Sequence, residues 1–411
     1  MSDTKQVART RHTFGLFRDK EADWVFGRTL QYMSSGGAQI GECLDAANKI
    51  DEKDVDSWIS EWSRVAEMVE RHGDESYDLG RLVSAKYSYL RASNYYRTAE
   101  YGAPPKHPRF QPLWEKSVEC FHKALKCFND PVSKVEVPTG GYRLPGYYWR
   151  ISNVETAPTL ILVGGNDGTL EENFLALGFS AHERGYNFFT FDHPGHRGAV
   201  HLYPDCVKRP DIEIPYRHAI DFLETLPGVD DGIIVAGLSF GGYAASRIIS
   251  HDRRVKAAVL NSPIVDVHEM SFSQWKGAIT KMPRFILKRL IEAKMRRSPL
   301  TYALKAYSAW SAGMELTTDI EAMSEYYREW RVPDEMLEEI TCPVLAMVSK
   351  GDGPILMAQA EKFIKSVSSE NRELHVFSLD RDGSDDHCQL DNLSRGRQVM
   401  FDWIDDIIGP G

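Results

Sequence analysis

An α/β fold, with a mostly parallel sheet between layers of helix and a helical domain preceding it, is predicted by three features of the sequence. From Ser133 onward, short apolar runs alternate with helical segments. Residues 14 to about 130 carry helical spacing and almost no strand pattern. Between Asp266 and Glu339 the alternation stops, and the chain reads as helix rich in Met, Trp and Tyr. The expected organisation is an N-terminal helical domain over 1–130 and a catalytic domain over 131–411, interrupted by a helical insertion at 266–340.

In the first part, Trp58, Trp62, Val65, Ala66 and Val69 recur at the intervals of one helix face. Leu82, Ala85, Tyr89, Ala92 and Tyr96 follow the same rhythm. Asp54 and Asp56 are N-cap candidates, because a short carboxylate accepts from the free amides of a first turn. Ala103-Pro104-Pro105, His107-Pro108 and Asn129-Asp130-Pro131 separate the helices. Val135–Val137 and Tyr147–Ile151 then read as antiparallel edge strands. Six apolar runs follow with the near-continuous hydrophobicity of strands buried on both faces: Thr159–Val163, Asn187–Phe191, Gly232–Ala236, Val255–Leu260, Pro343–Val348 and Leu374–Ser378. Between the first two of these runs, Glu171 to Arg184 is a helix stopped by Gly185.

Composition narrows the function. The 411 residues carry a formal net charge of −10 and no long Lys/Arg block, which disfavours nucleic acid and acidic membrane surfaces as partners. The basic clusters Lys281–Arg284 and Lys294–Arg297 are expected to be solvated helix faces. Met1 to Thr13 lacks the apolar core of a secretory leader, and no run of 18 apolar residues exists. The six cysteines (Cys43, Cys120, Cys127, Cys206, Cys342, Cys388) are scattered without a C-x-x-C pair, as expected of reduced thiols in a cytoplasmic protein. The expected partner is a small-molecule substrate, with no cofactor.

The chemistry concentrates at Gly237-Leu238-Ser239-Phe240-Gly241, directly after the run Ile233–Ala236. A G-x-S-x-G between a buried strand and a helix is a nucleophile elbow, a turn so sharp that side chains two residues either side of the serine would collide. A serine nucleophile needs a base, and the base an acid to orient it. In the chain order Ser, acid, His, the candidates are Ser239, Asp352 in Lys350-Gly351-Asp352-Gly353, and His387 in Gly383-Ser384-Asp385-Asp386-His387-Cys388. Of the 13 histidines, only His375 and His387 follow Asp352, and His375 lies within a strand and reads as structural. The oxyanion donors are expected to be the Phe240 amide and an amide of Gly165 or Asn166, in the loop Gly164-Gly165-Asn166-Asp167-Gly168. Asp192-His193-Pro194-Gly195-His196-Arg197 is expected to be a structural turn beneath the elbow. His193, His196 and His201 lack a familiar ligand spacing, so no metal is expected.

These motifs, with Ala92-Ser93-Asn94-Tyr95-Tyr96-Arg97 in the helical part and Asp386-His387-Cys388-Gln389 near the end, resemble the FrsA-like group of α/β-hydrolases. That group includes dihydropseudooxynicotine hydrolase and fungal polyketide-shortening hydrolases. The resemblance spans nearly the whole chain. It implies a Ser-Asp-His triad, a substrate cavity between helical domain and core, a homodimer, and hydrolysis of a carbon–carbon bond next to a ketone or of an ester. The Asp192–His196 loop departs from the group, where a small residue more often precedes the proline and Gln or Gly follows the glycine. The same triad would serve an acyltransferase, thioesterase or cyclase. A non-catalytic binding protein on this fold would be expected to lack a triad member, and none is missing.

Overall fold

The structure is a computed structural model that describes residues 14–273, 282–316 and 320–409. Met1 to Thr13, Trp275 and Lys281 therefore lie outside the described residues.

Five helices come first: α1 (Lys20–Gln31), α2 (Ile40–Ala47), α3 (Val55–Asp78), α4 (Leu82–Gly102) and α5 (Phe110–Leu125). Asp54 caps α3 by accepting from the Asp56 amide, which places Asp56 itself in the first turn. Trp58, Trp62, Val65, Ala66 and Val69 are all buried, as their spacing requires. Helix α4 is different: from Ala92 to Gly102 every residue is buried. Its polar side chains therefore bond inward. Asn94 donates to the carbonyls of Thr29 and Gly37, Tyr95 to Glu42, and Tyr96 to Glu70. The motif Ala92–Arg97 is thus the bolt of the helical layer.

The rest of the chain is built on eight strands: β1 (Val132–Thr139), β2 (Tyr142–Trp149), β3 (Ala157–Val163), β4 (Asn187–Phe191), β5 (Val229–Leu238), β6 (Val255–Asn261), β7 (Val344–Ser349) and β8 (Arg372–Phe377). They form one sheet in the order β1-β2-β4-β3-β5-β6-β7-β8. Strands β1, β2 and β4 pair antiparallel, and every pairing from β4 to β8 is parallel. Because β4 to β8 run parallel, the carboxyl ends of β3, β5, β6 and β7 share one edge, and the chain leaves the neighbours β3 and β5 in opposite directions, the place where loops carry function in such sheets.

One hydrophobic cluster lies on the sheet face under the helix Phe240–His251, and a second lies on the face under the helix Leu393–Ile408. The helical layer has its own core around Trp58, Trp62 and Tyr95. Leu300, Leu304 and Tyr307, from the insertion helix Pro299–Trp310, enter that same core. The insertion thus packs into the N-terminal helices. In the other direction, Trp330 packs against Phe240 and Tyr243, beside the nucleophile candidate.

Candidate active site

Strand β5 ends at Leu238 and the helix Phe240–His251 begins two residues later, so Ser239 alone must turn the chain. It does so with φ 56° and ψ −118°, a conformation that side chains rarely adopt and that persists only where the surroundings impose it. The glycines make this possible. A β-carbon on Gly237 would lie 2.1 Å from the Gly241 carbonyl oxygen, and one on Gly241 would lie 2.1 Å from the Val163 carbonyl oxygen. Both positions exclude any other residue.

The partly exposed Ser239 hydroxyl donates to His387 Nε2 at 2.8 Å. His387 Nδ1–H in turn donates to Asp352 Oδ1 at 2.5 Å. Asp352 is fully buried one turn beyond β7, and its other oxygen accepts from the Ser349 amide at 2.9 Å and the Ser262 hydroxyl at 3.1 Å. Both carboxylate oxygens are therefore fixed, which fixes the tautomer and orientation of the imidazole. Burial opposes an imidazolium at His387, but Cys388 and the Asp352 carboxylate outweigh it and drive the pKa up. His375 stands apart on β8, 3.2 Å from Asp382 in a charged cluster with Arg381.

The loop Gly164–Gly168 stands next to Ser239: a β-carbon on Gly165 would touch the serine Cβ at 3.3 Å. Gly165 and Asn166 are thus on the nucleophile's side of the sheet edge, and the Phe240 amide opens the helix that follows the serine. The Asn166 side chain faces elsewhere. Its Nδ2 donates to Ser308 of the insertion at 3.1 Å, and its Oδ1 accepts from Lys208 Nζ. The turn Asp192–Arg197, expected beneath the elbow, makes its bonds to this loop. Arg197 donates to the Asp167 carbonyl at 3.2 Å, and His196 Nε2 lies beside Gly168. Asp192 holds His196 Nδ1.

Nothing in the sequence marks the ionic network that secures the same loop from the helical side. Arg97 donates to the Asp167 carbonyl at 2.5 Å, to Glu172 at 2.8 Å and to Glu100 at 2.9 Å. Arg28 bonds Asp167 at 2.6 Å and Glu172 at 3.0 Å, and Arg197 pairs with Glu100. Three guanidinium groups thus meet three carboxylates in a nearly dry interface. Burial works against an ionised Glu172, but Arg28 and Arg97 outweigh it and hold its pKa below the ordinary glutamate value. Such a network keeps its charges only while complete.

A cavity of about 540 Å³ opens between α1 and the segment carrying His387, with Trp24, Arg28 and Gln31 on one wall and Asp386 and Leu390 on the other. This is within the size range of small-molecule sites. Both polar atoms of the Gln31 amide are buried in that wall without a hydrogen-bond partner among the described residues. Burial pushes the Asp386 carboxyl up to about 7. Among the described residues no cluster of three His, Cys, Asp or Glu is arranged to hold a metal ion, and no helix is long and apolar enough to cross a membrane.

Comparison with known proteins agrees with this architecture. Residues 172–379 match a family model described as serine aminopeptidase, S33, a span that holds the elbow and Asp352 and ends before His387. A hydrolase of Pyricularia grisea, PyiE, is 34% identical, over 94% of this chain and 95% of its own length. An α/β-hydrolase of Penicillium citrinum, GkaG, is 28% identical, over 88% of this chain and 90% of its own. Among solved structures, 2,6-dihydroxy-pseudo-oxynicotine hydrolase superposes with a TM-score of 0.73 at 22% identity, covering 93% of this chain and 95% of that one. The protein AbyA5 superposes at 0.66 with 16% identity, covering 94% of both chains. With half of the chain matched by the family model and one relative above 30% identity along nearly its full length, the chain belongs to the α/β-hydrolases and is a hydrolytic enzyme.

Proposed function

We propose that the enzyme is a serine hydrolase that forms an acyl-enzyme on Ser239 and cleaves a carbon–carbon bond next to a ketone, or an ester, in a medium-sized polyketide-like compound. The observation that carries this reading is the hydrogen-bonded chain from Ser239 through His387 to Asp352 at the tip of a turn with positive φ.

In this reading His387 Nε2 takes the proton of Ser239 as Oγ attacks the acyl carbon, and Asp352 steadies the imidazolium. The amides of Phe240 and of Gly165 or Asn166 hold the oxyanion. Collapse expels an alkoxide from an ester or an enolate from a 1,3-dicarbonyl, and His387 protonates it. Water activated by the same imidazole then hydrolyses the acyl-serine. An enolate leaves less readily than an activated phenolate, so the substrate must be well oriented. A helical layer bolted over the sheet edge and a cavity beside the His387 segment support a bulky substrate. The names of the relatives, a fungal hydrolase and an oxynicotine hydrolase, support an organic small molecule.

The test is a side-by-side assay of a p-nitrophenyl ester series and aryl 1,3-diketones, with products identified by mass. Carbon–carbon cleavage with slow turnover of small esters is the expected result. Fast, chain-length-tolerant esterase activity without such cleavage would make the protein an ordinary carboxylesterase. Transfer of the acyl group to an added amine or alcohol would make it a transferase. The family resemblance also supports a homodimer, which light scattering of the purified protein tests.

A further inference from the structure

The side chain least explained by the fold is Lys208. It is 6% exposed, and no carboxylate among the described residues lies within ion-pair distance of it. The buried arginines nearby are all paired, as buried charges ordinarily must be. Yet the ammonium is held firmly. Its Nζ donates to Asn166 Oδ1 in the loop beside Ser239, and lies 5.5 Å from the Tyr307 ring centre and 5.9 Å from that of Phe240. Its backbone amide donates to the Ser311 carbonyl of the insertion at 2.8 Å.

The chain makes room for it. Gly195 has φ 80°, and a β-carbon there would stand 2.1 Å from Lys208 Cγ. The polar atoms around it are also unused: Tyr307 Oη, His193 Nε2 and His196 Nε2 are buried with no hydrogen-bond partner among the described residues. A buried ammonium with donors to spare, two flanking aromatic faces and three idle polar atoms make a set of groups that an oxygen-rich ligand would satisfy.

We propose that Lys208 is a substrate-recognition residue, whose Nζ–H binds the second oxygen of a 1,3-dicarbonyl substrate and holds it as the enolate leaves. This rests on the carbon–carbon cleavage reading given above. Ser239 Oγ bonds to the attacked carbonyl carbon while its proton passes to His387. The bond to the α-carbon breaks, and its electron pair delocalises onto the neighbouring carbonyl oxygen, which becomes the enolate oxygen bound by Lys208. His387 returns its proton to the α-carbon, and water releases the acyl group from Ser239. An ester has no such second oxygen and does not use the lysine.

The charge of the lysine is conditional. Burial pushes its pKa down to about 7, with Asp167 drawing it up and Arg197 pushing it down. His193 and His196 face it neutral, both lowered to about 3 chiefly by burial, and burial keeps Tyr307 a phenol. The ammonium form is therefore lost as the pH rises through about 7, and an anionic oxygen restores it.

Binding separates this proposal from the reading beneath it. Benzoylacetone is titrated into the Ser239→Ala protein, and the enolate absorption band is followed. The expected result is bound enolate, with affinity falling about tenfold or more in Ser239→Ala/Lys208→Met, as for loss of a charge-assisted hydrogen bond. Lys208→Arg is expected to keep most of it. In the Ser239 background, Lys208→Met and Lys208→Gln should lower kcat/KM for aryl 1,3-diketones at least tenfold more than for p-nitrophenyl acetate. The diketone-to-ester ratio should fall above about pH 7 in the wild type and not in Lys208→Arg. Bound enolate that survives Lys208→Met overturns the proposal, as does an equal loss on both substrates, which would make the lysine only a support for Asn166. Enolate binding that needs Lys208 in a protein that never cleaves the diketone upholds the proposal and removes the carbon–carbon reading instead.

Discussion

Replacing Arg97 with Met should destabilise the enzyme and disable it together. The guanidinium is 3% exposed and makes three hydrogen bonds, to Glu172, Glu100 and the Asp167 carbonyl. Methionine fills much of the space but leaves three positive and three negative groups as two and three. Glu172 then depends on Arg28 alone and Glu100 on Arg197 alone. Removing one partner of a buried ionic cluster costs about 3–5 kcal/mol. For a chain of this length, whose unfolding entropy scales with residue number, that lowers Tm by about 3–6 °C. The Asp167 carbonyl loses its shortest tether, so the loop holding Gly165 and Asn166 loosens and kcat should fall more than KM changes. The assay is thermal unfolding followed by circular dichroism, paired with ester kinetics on the same samples. Adding Glu172→Gln removes the surplus negative charge and should recover part of the stability. A loss below about 1 kcal/mol, or no recovery in the double variant, would show that the cluster is a solvated contact and not a bolt.

Three further outcomes are expected. His387→Ala should lower kcat by about 10⁴–10⁶-fold, and Asp352→Asn by about 10⁴-fold, with unchanged circular dichroism; activity that tolerates Asp352→Asn but not loss of Asp266 would move the acid to the segment after β6. Burial raises the Asp192 carboxyl to about 8, with Arg197 and the Gly198 amide opposing. The folded protein therefore holds a proton that the unfolded chain releases near pH 4, and stability falls as pH rises toward 8. Asp192→Asn should flatten that decline in urea unfolding at pH 5 to 9, and an unchanged slope would remove the effect. Deleting residues 1–130 should destroy activity or solubility, because Arg97 and the core around Trp58 and Tyr307 go with it; normal kinetics in the truncated protein would show that the helical layer does not build the site.

Much of the fold is legible because buried parallel strands must be apolar throughout. All six runs coincide with strands to within a few residues, but only those of β3 to β7 are buried as expected; β8 is an edge strand, exposed or half-buried from Arg372 to Val376. The elbow is legible for a steric reason, since its glycines are demanded by carbonyl oxygens 2.1 Å from where a β-carbon would stand. Asp352 and His387 are legible from chain order and from their places beyond β7 and β8.

What stays hidden is long-range pairing between polar residues. Arg97 and Glu172 are 75 positions apart and Arg28 and Asp167 are 139 apart, and no local period relates them. Lys208, between Val207 and Arg209 in a loop, reads as solvated until the fold closes Phe240 and Tyr307 over it. The docking of Pro299–Trp310 into the N-terminal core is hidden for the same reason. The stretch rich in Met, Trp and Tyr between Asp266 and Glu339 falls partly outside the described residues.

The measurement that bears most directly on Ser239 as nucleophile is intact-protein mass spectrometry after exposure to a fluorophosphonate, followed by peptide mapping. The account predicts one adduct per chain, on Ser239, formed at a rate that falls by orders of magnitude in His387→Ala and absent in Ser239→Ala. Labelling at another residue, or full hydrolytic activity in Ser239→Ala, would contradict it.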